Sequence, residues 1–447
     1  MHKELKQITK VETFTIVETP PNTNVIDGKW VLHRKRDGEG KVIHWKARYM
    51  VRGFQQRFGT DFTETFAPTV RLATLRILLS IVAQKNTAVV QADTKNAYLH
   101  GQNDTNEVFY MTIPVEYLRF YQLPSNLLHL PPEQLSCHVW RPLYGSRQGA
   151  YRFYQFLLET LLKLGFTVST ANKAVFYKFS FNVLYVILAA ATDNFTIITD
   201  ADSTADNFLN DLEKHVELVR LDQITWLLGT TVTRNLTNRT ITLGQKAYID
   251  QICTRFGLQD AHSVSTPLPP GIDLSPGLPH ILPKTLGISE KKTFREIIGS
   301  FMYLLVMTRP DITYAVSTLL QHLENASITH LEFAQCVIRY FKGTKDLRLI
   351  LGGAPSICGY SDADWASTLD RRSISGFAFF LGNGSVSWSS KKQPIVTLSS
   401  TESEYVALTH AAKDVIWIHK LLAEISPIYP ERPPLPSTLF CDNQGAI

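Results

Sequence analysis

The sequence predicts an α+β protein of two or three domains, and three observations carry that reading. Its 447 residues, 44% of them hydrophobic and 19% charged, supply more than one core in the proportions of an ordinary globular chain. Short β-type runs and helical stretches are mixed along the whole length. A Pro-rich stretch over residues 266–283 interrupts every pattern and divides the chain into a larger N-terminal part and a smaller C-terminal one.

Taken in order, residues 1–28 read as a lead-in with a turn at Pro20-Pro21. Two strands follow, 29–36 and 42–51, around Asp37-Gly38-Glu39-Gly40, and Asp-Gly between β runs is a strong hairpin signal. Residues 69–85 read as an amphipathic helix feeding a short strand that ends at Asp93. Residues 113–136, rich in Pro and Leu without a period, read as a loop, and 151–164 as a helix capped by Gly165. Apolar runs at 181–191 and 195–198 form a second hairpin with Asp193-Asn194 at its turn. A helix over 205–219, strands at 224–233 and 240–243 and a helix over 246–256 precede the Pro-rich break. Beyond it come helices at 294–307, 312–323 and 330–341. Strands at 357–360, 376–381 and 385–389, a helix over 401–425 and a strand at 438–441 then give the order β-β-β-α-β.

Composition narrows the function classes. A formal charge of +5 and a pI near 8.8 permit a nucleic-acid partner without demanding one. The basic residues concentrate between Lys29 and Arg57, which also holds Arg34, Lys35, Arg36, Lys41, Lys46, Arg48 and Arg52. The cysteines (137, 253, 336, 358 and 441) are scattered without a C-x-x-C pair, which speaks against a disulfide framework or a zinc site and for a reducing compartment. Residues 1–10 are polar and charged, and the apolar run Val183–Ala191 is too short to span a bilayer. The expectation is a soluble chain, cytosolic or nuclear, without a membrane partner. No G-x-x-x-x-G-K-[ST] loop or H-E-x-x-H pair is present, so ATP hydrolysis and zinc proteolysis are not expected. Trp388 and Trp417 read as core residues rather than base-stacking platforms.

Two groups of acids carry the chemistry. Asp93 closes a buried strand, where a carboxylate is costly unless neutralised. A metal would do that, and so would the cap of a helix N-terminus. Asp193 lies at a second strand end, and two acids on adjacent strand ends suit a pair of Mg²⁺ ions with substrate phosphates. On the basic hairpin, Lys46, Arg48 and Arg52 share one face by period 2. That face suits a polyphosphate or a nucleic-acid backbone, and equally a solvated strand. In the C-terminal part Asp362 and Asp364 lie two apart on a strand, Glu404 one turn into its helix, and Asp442 just past a strand. The structural alternative for Glu404 is a capping box, Thr401-x-x-Glu404, and for Asp442 a turn.

The stretch Gln91-Ala92-Asp93-Thr94-Lys95-Asn96-Ala97-Tyr98-Leu99-His100-Gly101, with Leu143-Tyr144-Gly145-Ser146-Arg147-Gln148, resembles the reverse transcriptase of copia-type LTR retrotransposons. So do Lys29-Trp30-Val31, Lys46-Ala47-Arg48 and Arg52-Gly53-Phe54. Arg309-Pro310-Asp311-Ile312, Gly359-Tyr360-Ser361-Asp362-Ala363-Asp364-Trp365 and Ser387-Trp388-Ser389-Ser390-Lys391-Lys392-Gln393 resemble the tether and RNase H segment of the same polyprotein. Ser399-Ser400-Thr401-Glu402-Ser403-Glu404-Tyr405 and Cys441-Asp442-Asn443-Gln444 continue that order, and the resemblance covers nearly everything from Lys29 onward.

The resemblance implies a right-hand polymerase with fingers and palm at 29–199 and palm end, primer grip (226–231) and thumb at 200–258. A linker at 259–293, a helical tether at 294–353 and an incomplete RNase H-like α/β domain at 354–447 would follow. It implies RNA-directed DNA polymerase activity with dNTPs, an RNA template, a DNA primer and the RNA–DNA hybrid as partners, and other retroelement proteins beside them. Each active site would hold two Mg²⁺, with Mn²⁺ as the substitute. The location would be a cytoplasmic retroelement particle or the nucleus. Asp93, Asp193 and, in a neutral form, Asn194 fall at the polymerase metal site. Tyr98 is the ring that screens the sugar 2′ position, and Gln148 and Gly149 lie beside the nucleotide. Lys46 and Arg48 contact the triphosphate, with Lys35 as a further candidate. Asp362, Glu404 and Asp442 are the nuclease acids and metal ligands, with a fourth acid expected beyond Ile447; without it the nuclease is expected to be weak. The family usually has a second aspartate where Asn194 stands, and a proline where Gly149-Ala150 stands. The competing reading is a decayed retroelement relic that at most binds nucleic acid.

Overall fold

The computed structural model describes residues 1–36, 42–104, 107–180, 183–272, 274, 278, 281, 285–427, 429 and 436–447. Its centre is a six-stranded sheet in the order Leu218–Gln223, Ala88–Thr94, Asn194–Thr199, Val183–Ala191, Val175–Ser180, Thr167–Val168. Val183–Ala191 is apolar throughout because both faces of this sheet are covered. Ile187 and Ala189 enter one core, whereas Val186, Leu188 and Ala190 enter another. The second core is closed by Phe153, Leu157 and Leu161 of helix Gly149–Lys163 and by Phe208, Leu209 and Leu212 of helix Asp202–Glu213.

Helix Leu72–Lys85 closes the other face, and here the sequence expectation is corrected. Every residue from Thr74 to Gln84 is buried, so the helix is enclosed on all sides rather than amphipathic. It ends at Asn86, which takes the left-handed conformation (φ 55°) that a helix stop favours. The loop expected at 113–136 contains three short helical turns, Tyr117–Phe120, Ser125–Leu127 and Pro132–Gln134, and gives way to strand Leu135–Val139. That strand belongs to a four-stranded N-terminal sheet, Phe14–Glu18, Leu135–Val139, Phe109–Met111, Val25–Ile26. The basic hairpin is a two-stranded ribbon, Gly28–Arg36 with Val42–Val51, pairing Val31 with Arg48 and His33 with Lys46. The turn expected at Asp37-Gly38-Glu39-Gly40 lies outside the described residues.

The division into thumb, linker and tether is not how the molecule packs. Helix Lys246–Arg255 shares one core with helices Ile288–Met307, Thr313–Leu320 and Ile328–Gly343, around Phe294, Phe301 and Phe341. Leu268, Leu274 and Ile281 of the Pro-rich stretch, with Leu286 just past it, are buried in the same core, so these residues are packed rather than part of a free spacer. A short strand missed in the sequence, Leu349–Gly352, pairs with Thr240–Gly244 and ties the end of the helical unit to its start.

The C-terminal unit has the expected β-β-β-α-β order. Ile357–Asp364, Ile374–Leu381 and Gly384–Lys392 run antiparallel, and Thr438–Phe440 lies parallel to the first. It is not a separately cored body: Phe379, Val386, Ile418 and Leu421 join the cluster that holds Ile77, Leu78 and Ile81 of helix Leu72–Lys85. Arg76, 6% exposed, pins this joint. Its guanidinium donates to the carbonyls of Val386 (2.8 Å), Val306 (2.6 Å) and Met307 (3.2 Å) and lies 3.9 Å from the Trp388 ring centroid. Among the described residues no helix is long and apolar enough to cross a membrane.

Candidate functional site

The register of the central sheet brings the first two acids together. Asn194 is the cross-strand partner of Asp93, and Phe195 that of Ala92. The Thr94 N–H donates to the Asp193 carbonyl at 2.8 Å. Because Ala191 pairs with Asn194, the two-residue turn is Thr192-Asp193, not Asp193-Asn194 as the sequence suggested. Thr192 has a φ of 59°, unusual for a β-branched residue and held by the pairing on both sides. Asn194 therefore starts the return strand, and its Nδ2 donates to Asp193 Oδ1 at 3.1 Å. A side chain that is neutral here holds its neighbour's carboxylate through a hydrogen bond.

Asp93 and Asp193 line a cleft of about 640 Å³ whose opposite wall is the basic ribbon, with Lys46 and Arg48 on it. Desolvation lowers the proton affinity of the Lys46 ammonium, and Arg48 beside it adds to this; Asp93, Glu4 and Asp193 act the other way. The Arg48 guanidinium stacks 4.3 Å from the Tyr144 ring centroid, and Tyr144 is 5.1 Å from the Tyr98 ring. Lys35 has a side chain outside the described residues. Tyr98 stands on the short helix Ala97–His100, five residues past Asp93. Burial raises its phenol pKa, and the nearby Asp193 charge raises it further.

Gly149 opens helix Gly149–Lys163 directly against that ring. A Cβ there would meet Ser146 Oγ at 3.0 Å and the Tyr98 ring at 3.4 Å. The helix starts normally without the family's proline, since the first turn accepts Ala150 as readily. Gln148 does not face the cleft. It is fully buried, accepts from Gln56 Nε2 (3.0 Å), and donates to the Asp61 carbonyl (3.2 Å) and Asn103 Oδ1 (3.4 Å). Gly145, at φ 88°, lets the same loop lie against the ribbon, where a Cβ would sit 2.2 Å from the Val51 carbonyl oxygen.

Sequence reasoning missed the third wall of the cleft. The stretch read as a lead-in begins with helix His2–Lys10, and its Lys3, Glu4 and Gln7 line the cleft. The available signal was the apolar pair Leu5 and Ile8, three apart among polar residues, both buried.

The second group of acids also converges. Strand Ile357–Asp364 carries Asp362, and helix Ser400–Glu424 carries Glu404; Asp442 follows the parallel neighbour Thr438–Phe440. Glu404, 4% exposed, accepts from the Ala363 N–H at 3.1 Å, and the Cys441 thiol lies 3.7 Å from its Oε2. Ligand atoms of Glu404, Cys441 and Asp442 come within 4.8 Å of one another. Burial raises the carboxyl pKa of Asp362, and Asp442 and Asp364 push the same way. Burial likewise raises that of Glu404, with Asp362 and Asp442 adding to it and the Ala363 N–H opposing. Along the strand both Asp362 and Asp364 have exposed positions, so the Asp362 carboxyl is only partly desolvated. The capping-box alternative for Glu404 falls away. Ser399 is the N-cap and accepts from the Glu402 N–H (3.1 Å), while Glu402 accepts from the Leu398 N–H (2.6 Å).

Residues 11–270 match the family described as reverse transcriptase (RNA-dependent DNA polymerase). The chain is 32% identical over its full length to a retrovirus-related Pol polyprotein from transposon TNT 1-94 of Nicotiana tabacum, covering 32% of that protein. It is 31% identical to the Pol polyprotein from transposon RE1 of Arabidopsis thaliana, over 97% of this chain and 28% of the relative. The chain thus spans about a third of the length of these curated relatives. A foamy viral protease–reverse transcriptase solved with double-stranded DNA aligns over 93% of this chain and 60% of that one. At a TM-score of 0.47 and 13% identity, that likeness is too slight to bear on the argument. The family match and the polyprotein relatives together place the chain in the reverse transcriptase family, among those of copia-type retrotransposons.

Proposed function

We propose that the chain extends a DNA primer on an RNA or DNA template, with nucleotidyl transfer in the Asp93–Asp193 cleft. The observation that carries this is the pairing of Asn194 with Asp93, which sets two carboxylates at neighbouring strand ends opposite Lys46 and Arg48. The donor set fits Mg²⁺ or Mn²⁺: hard carboxylate oxygens at the cleft surface, few enough to leave positions for water and substrate phosphates. When bound, a metal pair supplies charge stabilisation and an activated primer 3′-hydroxyl.

The chain's own residues do the rest. Asp93 and Asp193 hold the cations in place, and Lys46 and Arg48 bind the triphosphate and take up charge developing on the leaving pyrophosphate. Tyr98, packed against Gly149 beside Tyr144, is the candidate ring for screening the sugar 2′ position. Asn194 orients Asp193 in place of a second ligand charge. For the C-terminal acids the same chemistry supports hydrolysis of the RNA strand of a hybrid, with Asp362, Glu404 and Asp442 as metal ligands.

A chain that binds hybrid without extending it is the second reading, and Asn194 favours it by removing a negative charge from the metal site. Primer extension on an RNA template, with Mg²⁺ and with Mn²⁺, separates the two. Templated incorporation supports the polymerase. Tight hybrid binding with no incorporation under either metal supports the relic.

A further inference from the structure

The wall of the cleft built by helix His2–Lys10 has no part in the mechanism above, yet it lines the same cleft as Lys46 and Arg48 with a carboxylate, Glu4. The helix is fixed rather than trailing: Leu5 and Ile8 are 0% and 1% exposed, and Ile8 packs in one core with Tyr49 and Val51 of the ribbon. With 3.6 residues per turn, Lys3, Glu4 and Gln7 then share the face that looks into the cleft. Glu4 is half-buried there. Burial raises its carboxyl pKa, while Arg48, Lys46 and the Tyr49 backbone oppose that rise.

The other acids on the cleft wall have different partners or tasks. Glu217 is paired with Lys95 at 2.7 Å, and Asp93 and Asp193 sit on the metal side. Glu4 alone among the described cleft acids is on the helix that packs against the ribbon. A carboxylate and a triphosphate are both anions that need the same two cations, and Lys46 and Arg48 cannot satisfy both fully.

We propose that Glu4 is a displaceable occupant of the triphosphate subsite, neutralising Lys46 and Arg48 when no nucleotide is bound and yielding them to the incoming phosphates. The inference rests on the reading of Lys46 and Arg48 as triphosphate ligands. It makes Glu4 a specificity-setting residue: it weakens capture of any anion too lightly charged to displace it, such as a nucleoside monophosphate, more than capture of a triphosphate. It also offsets the repulsion between Lys46 and Arg48, neighbours on one face of the ribbon.

The test is equilibrium binding of dTTP and dTMP with Mg²⁺ to the full chain and to E4Q, E4D and K46A, with melting curves as the control for folding. E4Q is expected to bind dTTP about two- to fivefold more tightly, the range of a partly screened ion pair. Its gain for dTMP should be larger, E4D should stay near the parent, and the gain should shrink as salt rises. In primer extension the change should appear in KM for dTTP rather than in kcat. Unchanged or weaker dTTP binding by E4Q, while K46A weakens it, would overturn the role of Glu4 and leave the triphosphate site standing. Binding unaffected by K46A would overturn the site itself, and Glu4 with it. If E4Q melts early, E4A is read instead, with the same expected sign.

Discussion

The two acidic centres solve one electrostatic problem in opposite ways. In the cleft, Asp93 and Asp193 share the lining with Lys46 and Arg48, cations that offset their charge. In the C-terminal unit, Glu404 and Asp442 have ligand atoms within 4.8 Å of one another, and the carboxyls of Asp362 and Glu404 are pushed upward by burial and by neighbouring charge. On the proposed reading the first centre serves a substrate that brings phosphates of its own. In the second, burial first and neighbouring charge next disfavour the ionised carboxyls, so protons or cations stabilise it modestly. Metal dependence should therefore show in activity at the first centre and in stability as well at the second.

The largest expected effect isolates the first centre. Asp93→Asn or Asp193→Asn should lower nucleotidyl transfer about a thousandfold or more, some 4 kcal/mol of transition-state stabilisation, with the melting temperature nearly unchanged. Asp362→Asn should leave primer extension intact. Loss of extension in Asp362→Asn would show that the two centres are not independent.

The next effect asks how far they share a scaffold. Arg76→Ala removes a buried cation and orphans three carbonyl groups, so a loss of about 3 kcal/mol in stability is expected. Both centres ride on the core that Arg76 joins, so calorimetry should show one transition moving as a whole. A C-terminal unit that melts alone would contradict the shared core.

A smaller effect concerns Asn194. If it were a lost metal ligand, restoring the aspartate would raise turnover about thirty- to a thousandfold. Since its Nδ2 bonds to Asp193, the gain from Asn194→Asp should be about tenfold or less, and greatest at low Mg²⁺. Extension rates titrated against Mg²⁺ check this.

The smallest effect lies at the second centre. Asp362 and Glu404 hold protons more tightly folded than unfolded. Their contribution to stability is therefore full below the ordinary carboxylate pKa and is lost as pH rises through the raised values. In EDTA near neutral pH, Asp362→Asn should raise stability by under about 1 kcal/mol, and the difference should vanish below about pH 4. Mg²⁺ should narrow the gap at neutral pH. A variant no more stable than the parent at neutral pH would mean that the acids are too well solvated to repel.

What could be read from the sequence follows from how local each cause is. The β-β-β-α-β order was legible because alternation and helical period are local, and Asp93 and Asp193 because each ends an apolar run. The turn at Thr192-Asp193 was displaced by one residue because Thr is a poor candidate for positive φ, and only pairing along the whole hairpin puts it there. Glu404 was entangled with a capping box because Thr401 and Ser399 both offer hydroxyls, and only the hydrogen bonds choose Ser399. The joint at Arg76 and the Glu4 wall depend on partners far along the chain, Val386 and Lys46 among them. No window of sequence shows those contacts.

Mn²⁺ binding followed by electron paramagnetic resonance, with and without dTTP, tests the cleft most directly. The full chain should bind additional Mn²⁺ when dTTP is present, Asp362→Asn should keep that nucleotide-dependent binding, and Asp93→Asn should lose it. Nucleotide-dependent Mn²⁺ binding that survives Asp93→Asn would show that the Asp93–Asp193 pair is not the metal–triphosphate site.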